Sequence, residues 1–405
     1  MPVIVNNEWT TLTVVTKTMK MAINKRRSWR TLIWVYVAVS SLLTVSCSRS
    51  NIVTDDSSLT STVDVVTYAN LLAIYPQPDG SMAVEIHNPW DTTQILQRLY
   101  LVNKECGKQR VPEGYTLVRV PIRNALVYSS VHTSPIEELG ATDVISGVAD
   151  GEFFSSPEMR SRLDSNRIVN IGSSMSPSLE KIMSLSPEIA IVSPYQNSGH
   201  GILDKSGVTV IDMADYMETT PVGRAEWILL LGALTGHYDK AKAIFESVVA
   251  DYDSYRTLAS ESGSCPTVLL EVPYSGVWYQ PGGKSYMAAL IRDAGGVPLL
   301  DNDSRTGSVQ MDIASVYNMG HNADIWLIKT TDNLTMADIA SLTPLADGIK
   351  AFATGNVYIA DTSEIPLYDD MAFHPERVLK DHISIFHPEL LPSFVPKYYH
   401  QATAK

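Results

Sequence analysis

Three groups of residues have the types and spacing that could do chemistry. The first is Gly282-Gly283-Lys284-Ser285, which ends like a phosphate-binding loop. Such a loop cradles phosphates on the N–H groups of a glycine-rich turn and needs glycine at 278. Trp278 stands there, followed by Tyr279, Gln280 and Pro281, so a nucleotide site is rejected. The second group is His374, His382 and His387, whose spacing does not suit ligands on one helix face. They read as surface or capping groups. The third is Cys47, Cys106 and Cys265, with no C-x-x-C or Cys/His pattern to suggest zinc. No G-x-G-x-x-G opens a helix after a strand, and there is neither a G-x-S-x-G elbow nor H-E-x-x-H. The expectation is no catalytic set, no metal site and no cofactor, which leaves recognition as the chemistry.

Cys47 has a different context. Lys25-Arg26-Arg27 and Arg30 precede the uncharged, mostly apolar run Thr31 to Val45, and Ser46-Cys47 follows. That run is short for a membrane span and fits the apolar region of an export signal. The order basic, apolar, small, Cys resembles a bacterial lipoprotein signal, with Thr44 where leucine is usual and Leu43 one place earlier. Residues 1–47 therefore read as a signal with lipidation at Cys47, and Ser/Thr/Asp-rich 48–61 as a tether. An uncleaved anchor or an incidental Cys is the alternative. The start codon could be Met19 or Met21. Six of 31 basic and one of 44 acidic residues lie in 1–47, leaving 25 and 43 beyond, a net of −18. So acidic a chain argues against a nucleic-acid partner. Hydrophobic residues at 45% and mean hydropathy of zero exclude a disordered chain and a multi-span membrane protein. Cys106 and Cys265 are expected as free, buried thiols, although export permits a disulfide.

Stepping along the chain, residues 62–114 read as a small β meander, with Pro78-Asp79-Gly80 as a turn. Residues 115–218 alternate short apolar strands (ALVY, VISGVA, IVNIG, IAIV, VTVI) with helices opened by Ser134-Pro135, Ser156-Pro157 and Ser176-Pro177. This is a parallel α/β lobe. Residues 219–260 are helical: one helix from Thr220-Pro221 to Gly236, and a second capped by Asp239. The second has one apolar face of Ala241, Ile244, Val248, Tyr252, Tyr255 and Ala259. About 22 residues at 1.5 Å make a rod of roughly 33 Å, long enough to join two domains. Residues 261–405 resume the α/β texture as a second lobe. The fold class is α/β: two lobes joined by a long helix behind a small β meander, with a ligand in the cleft between.

The blocks ALVYSSVHTSPIEELGATDVISGVAD, SPSLEKIMSLSPEIAIVSPYQNSG, ADYMETTPVGRAEWILLLGALTG and GVWYQPGGKSYMAALIRDAGG, in this order, resemble the periplasmic binding proteins that feed ABC importers of iron–siderophore complexes, haem and cobalamin. The resemblance covers roughly 115–395. It implies a substrate-binding lipoprotein, not an enzyme, that moves little on binding. Its transported ligand would be an iron–siderophore complex or haem, with a corrinoid as the alternative and a chelate-processing enzyme as a lesser one. Its partners would be an ABC permease with its ATPase, and the membrane through the lipid anchor. It would act as a monomer in a Gram-negative periplasm; capture at the cell surface is a minor reading. Carried onto this sequence, the ligand positions are Ser130, His132, Asp150, Phe153, Ser173, Met175, Tyr195 and Gln196 in the first lobe, and Trp278, Tyr279, Lys284 and Tyr286 in the second. They are taken as loop positions at the carboxyl ends of strands. Core packing is the alternative for Trp278, Tyr279 and Met175, and backbone satisfaction for His132. The family carries an acid on each lobe for its permease. Gln196 and Lys284 stand at those places here, so docking would use other acids such as Glu152 or Glu271, while Lys284 would suit an anionic ligand.

Overall fold

The computed structural model describes residues 59–404 apart from Lys108 and Ser155. The expected export signal, Cys47 and most of the expected tether lie outside the described residues. The front of the described chain is a four-stranded sheet of β1 (Leu72–Pro76), β2 (Met82–His87), β3 (Ile95–Asn103) and β4 (Thr116–Val120). The first three strands are antiparallel neighbours, as in a meander. β4 returns parallel to β3, beyond the expected boundary at 114. The connection from Asn103 to Thr116 is long enough for the crossover that parallel pairing needs.

The first lobe alternates β5 (Ala125–Val127), α1 (Ser130–Glu138), β6 (Ile145–Val148), α2 (Pro157–Asp164), β7 (Val169–Asn170), α3 (Leu179–Leu185), β8 (Ile189–Val192) and β9 (Thr209–Asp212). Its strands run parallel in the order β7-β6-β5-β8-β9. The order reverses at β5, and the loops on its two sides diverge to leave a crevice at the strands' carboxyl ends. Helix α2 starts as its Ser-Pro pair dictates, the Ser156 hydroxyl accepting from the Met159 N–H. Two other starts differ from expectation. Helix α1 begins at Ser130 and takes Pro135 into its second turn, where only one backbone bond is lost. Helix α3 is capped by Ser178, not Ser176.

The helical stretch is α4 (Pro221–Ala225), α5 (Ile228–Thr235) and α6 (Tyr238–Ala259). The single helix expected up to Gly236 is thus two pieces, the second ended by Gly236 in the left-handed conformation at φ 79°. Helix α5 is buried at every position. Helix α6 is the 22-residue rod; it begins at Tyr238 after His237, with Asp239 inside its first turn. It buries Ala241, Phe245, Val248, Tyr252 and Ala259.

The second lobe contains β10 (Thr267–Leu270), β11 (Val277–Pro281), α7 (Tyr286–Asp293), β12 (Val297–Pro298), β13 (Ser308–Asp312), α8 (Ile313–Gly320), β14 (Ile325–Thr330), α9 (Met336–Leu342), α10 (Lys350–Ala353), β15 (Val357–Asp361), α11 (Leu367–Phe373), α12 (Pro375–Phe386) and β16 (His400–Gln401). Its sheet runs β12-β10-β14-β15-β16, parallel except for β16. β11 and β13 form a separate antiparallel ribbon. Helix α11 packs on α1 and α4 across the lobe seam, and α12 lies along α6. One apolar core runs from Ile74 and Leu99 of the front sheet through Trp227 to Leu379 and Phe386 of the second lobe.

The front sheet is attached by buried polar groups. The Glu226 carboxylate accepts the N–H groups of Thr67, Tyr68 and Ala69 at 2.6–2.8 Å. Glu218 accepts those of Asn70 and Leu71, both at 2.9 Å, and the Trp227 indole N–H at 3.0 Å. The Tyr68 ring meets Phe245 of α6 edge-on. On the other flank the Gln97 amide donates to the Val210 carbonyl and accepts from the Asp212 N–H, occupying the free edge of β9 as a partner strand would. Cys106 and Cys265 are free thiols; Cys265 is exposed, contrary to the expectation that both are buried. None of the described helices is long and apolar enough to cross a membrane.

Candidate functional site

A cavity of about 490 Å³ opens where the first-lobe strands end. The chain leaving β5 supplies Tyr128, Ser129 and Ser130; that leaving β6 supplies Asp150 and Phe153; the turn after β7 supplies Ser174 and Met175; and the segment after β8 supplies Ser193, Tyr195 and His200. Asp150 holds the left-handed conformation at φ 49°, which Asp tolerates through its short polar side chain. Its carboxylate accepts the Ser174 N–H at 3.1 Å, tying two walls together. Phe153, Met175 and Tyr195 are 71%, 84% and 64% exposed, an apolar rim open to a ligand.

Of the sequence-derived first-lobe positions, Ser130, Asp150, Phe153, Met175 and Tyr195 meet in this cavity. Met175 is exposed rim, not buried filler. Ser173 and Gln196 are exposed and outside the lining; the Ser173 hydroxyl accepts the Met175 N–H. Ser130 and His132 are helical, not loop residues, because α1 starts early. His132 is buried behind the cavity, with Nε2 2.9 Å from Asp215, which also accepts from Arg224 Nε at 3.0 Å. The Arg224 guanidinium lies over the Tyr286 ring, 4.8 Å from its centroid. His132, Asp215 and Arg224, all buried, and the half-buried Tyr286 thus form a chain from the first lobe through the connector to the second. Burial would raise the Asp215 pKa, but His132 and Arg224 hold it below the usual carboxylate range.

The second lobe corrects two expectations. Trp278 is 0% exposed: it sits in strand β11, not in a loop, and packs against Trp326. Its indole N–H is shared between the carbonyls of Leu270 and Glu271. Period-two alternation turns Trp278 inward and Tyr279, 42% exposed, outward. Lys284 is exposed and lines neither the first-lobe cavity nor the seam described below. Glu271, with φ 60°, pairs with Lys329 and is therefore already engaged.

Sequence reasoning missed three groups. The Tyr128 hydroxyl is buried and has no hydrogen-bond partner among the described residues; burial pushes its pKa up to about 12, so it stays a donor. In the sequence it is only the last residue of the apolar run ALVY. His200 lies 2.7 Å from Asp212 and 3.3 Å from Asp204, and the Asp212 bond raises its pKa. Its signal was the glycine-flanked SGHG run after the fourth strand. The third is the seam between lobes, a crevice of about 660 Å³ that shares Ser130 and Phe154 with the cavity. Ser130 and Asp369 of α11 both line it, and the Asp369 carboxyl is pushed up to about 6 by burial and by Asp370. His374 bridges Glu138 of α1 at 2.7 Å and Glu376 of α12 at 3.0 Å. Burial alone would depress its pKa, but the two carboxylates raise it to about 9.

The arrangement sets hydroxyl donors and apolar rim side chains around the cavity, beside the seam that the second lobe lines. Known proteins resemble the chain in sequence or in fold. An uncharacterized lipoprotein of Methanocaldococcus jannaschii is 23% identical over 80% of this chain and 82% of its own length. A periplasmic heme-binding protein from Pseudomonas aeruginosa shares the fold with TM-score 0.54 at 15% identity, over 69% of this chain and 98% of its own. An ABC-type Fe3+-hydroxamate transport system structure from Saccharomonospora viridis does so with TM-score 0.52 at 16% identity, over 66% and 94%. Residues 127–364, which include the first lobe from the end of β5, the connector and most of the second lobe, match the periplasmic binding protein family, and to that family the chain belongs.

Proposed function

We propose that this protein captures a bulky metal chelate in the cleft at the first-lobe strand ends and delivers it to an ABC permease and its ATPase. The observation that carries the reading is the cavity itself, whose floor of serine hydroxyls and Tyr128 faces a rim of Phe153, Met175 and Tyr195. Such a lining suits a large ligand with an apolar periphery and many acceptor oxygens. Two neighbours, one heme-binding and one of Fe3+-hydroxamate transport, support an iron–siderophore complex or haem as ligand. A corrinoid is the second reading, favoured by the place of Lys284 outside the cavity, which removes the charge partner for an anion. The protein would bind and release its ligand unchanged, as a monomer, and not process it as an enzyme would. An extracytoplasmic location accords with the family and with the lipoprotein relatives. The Gram-negative periplasm expected from the sequence is not supported, because those relatives are archaeal. A lipid anchor at Cys47 belongs to this reading.

The test is a fluorescence titration with a ferric tris(hydroxamate), haemin and cobalamin, each beside its metal-free form where one exists. At least one should bind with a dissociation constant on the order of micromolar or tighter. Tyr195→Ala should weaken it. Failure of all three would remove the reading.

A further inference from the structure

We infer that the cleft admits metal chelates of zero or positive charge and rejects anionic ones. The inference rests on the chelate reading and narrows it, setting haem aside in favour of a neutral iron complex or a corrinoid. In the first-lobe cavity the charged lining residues are Asp150 and His200. His200 is bracketed by Asp204 and Asp212, which match any positive charge it carries. No lysine or arginine lines this cavity among the described residues. The adjoining seam is more acidic: Glu137, Glu138, Glu158, Glu364, Asp369 and Asp370 line it, against His374 and Arg377. Both of those cations are held by carboxylates, His374 by Glu138 and Glu376, and Arg377 by Asp370 at 2.8 Å. Deeper, Arg224 is committed to Asp215 and Lys329 to Glu271.

An anionic ligand would leave water for a site whose cations are spent and whose free charge is negative. That is unfavourable twice, through lost hydration and through repulsion. A neutral chelate meets neither cost. Its coordinating oxygens can accept from the serine hydroxyls and from the Tyr128 phenol, which is buried and unpartnered among the described residues. Three hydroxamates balance one ferric ion and give a neutral complex, and a corrinoid also falls in the admitted class. Three catecholates leave a charge of −3, and haemin brings two carboxylates.

The experiment titrates the full mature chain with a neutral ferric tris(hydroxamate), cobalamin, a ferric tris(catecholate) and haemin. A neutral ligand should bind at least about 100-fold tighter than the tris(catecholate). Asp150→Asn, which keeps an acceptor for Ser174 and tolerates the left-handed backbone, should narrow that gap about tenfold by favouring the tris(catecholate) relative to the neutral ligand. In the unmodified protein, raising salt from about 0.05 to 0.5 M should narrow the gap. Binding of the tris(catecholate) or haemin as tightly as the neutral ligands would overturn the charge inference and leave the chelate reading standing. A gap that neither Asp150→Asn nor salt changes would also overturn it. Failure of every chelate to bind would end both.

Discussion

Replacing His374 by Gln tests whether charge or packing closes the seam between the lobes. His374 is 6% exposed and joins Glu138 of the first lobe to Glu376 of the second. Its pKa rises from 6.5 to about 9, which corresponds to at most about 3 kcal/mol. The low pKa of Glu138 describes the same interaction and is counted once. Glu138 is 34% exposed, so screening reduces the expected contribution to about 1–2 kcal/mol. A raised histidine stabilises fully below the unfolded value near 6.5 and loses that stability as pH climbs through about 9. The groups facing it are Glu138, Glu376, Arg377 and Asp370. Urea unfolding of wild type and His374→Gln at pH 6.5 and pH 10 provides the measurement. The variant should be less stable by about 1–2 kcal/mol at pH 6.5 and nearly equal to wild type at pH 10. An equal deficit at both pH values would refute the ionic account and assign the cost to packing.

Trp278→Ala should cost about 3–5 kcal/mol of stability and leave chelate affinity of the folded protein within about twofold; affinity lost at unchanged stability would return Trp278 to the cleft. Glu226→Ala should destabilise by about 1–3 kcal/mol, because three strap N–H groups lose their acceptor, with faster hydrogen exchange at Thr67, Tyr68 and Ala69 as the check. Burial raises the Glu226 pKa, so its charged form is penalised most above that value, and mild acid should not free the strap. X-ray scattering with and without ligand should show little change in size, since α6, α12 and the seam hold the lobes; a large contraction would contradict this. Cys47→Ser should move the protein from the membrane to the soluble fraction, and retention in the membrane would exclude lipidation.

The lobes were legible because their signals are local. Ser156, Thr220 and Ser285 cap the helices they introduce, and the apolar spacing from Ala241 to Ala259 marks the rod. The first-lobe half of the site was legible for a related reason, since a parallel sheet exposes the residues just past its strands. What failed depends on distant partners. Trp278 looked like a loop aromatic because β11 pairs with Ser308–Asp312, far along the chain. Lys284 stands among the ligand positions only through the resemblance, and nothing local says where its side chain leads. The seam of His374, Glu138 and Asp369 joins residues more than two hundred positions apart, beyond the reach of any periodicity.

The attachment of the front sheet bears on how freely this architecture can be taken apart. Cutting the chain to the family match would start it at residue 127 and remove all five backbone donors that Glu218 and Glu226 receive from 67–71. Glu218 would keep the Trp227 indole. Two buried carboxylates would then lose the donors of 67–71, beside an uncovered β9 edge that Gln97 no longer occupies. The matched segment is therefore not a transplantable cassette. Any chimera that exchanges the front sheet between relatives has to exchange the two glutamates and the amide with it, and lineages that lack the sheet should be free to lose all three.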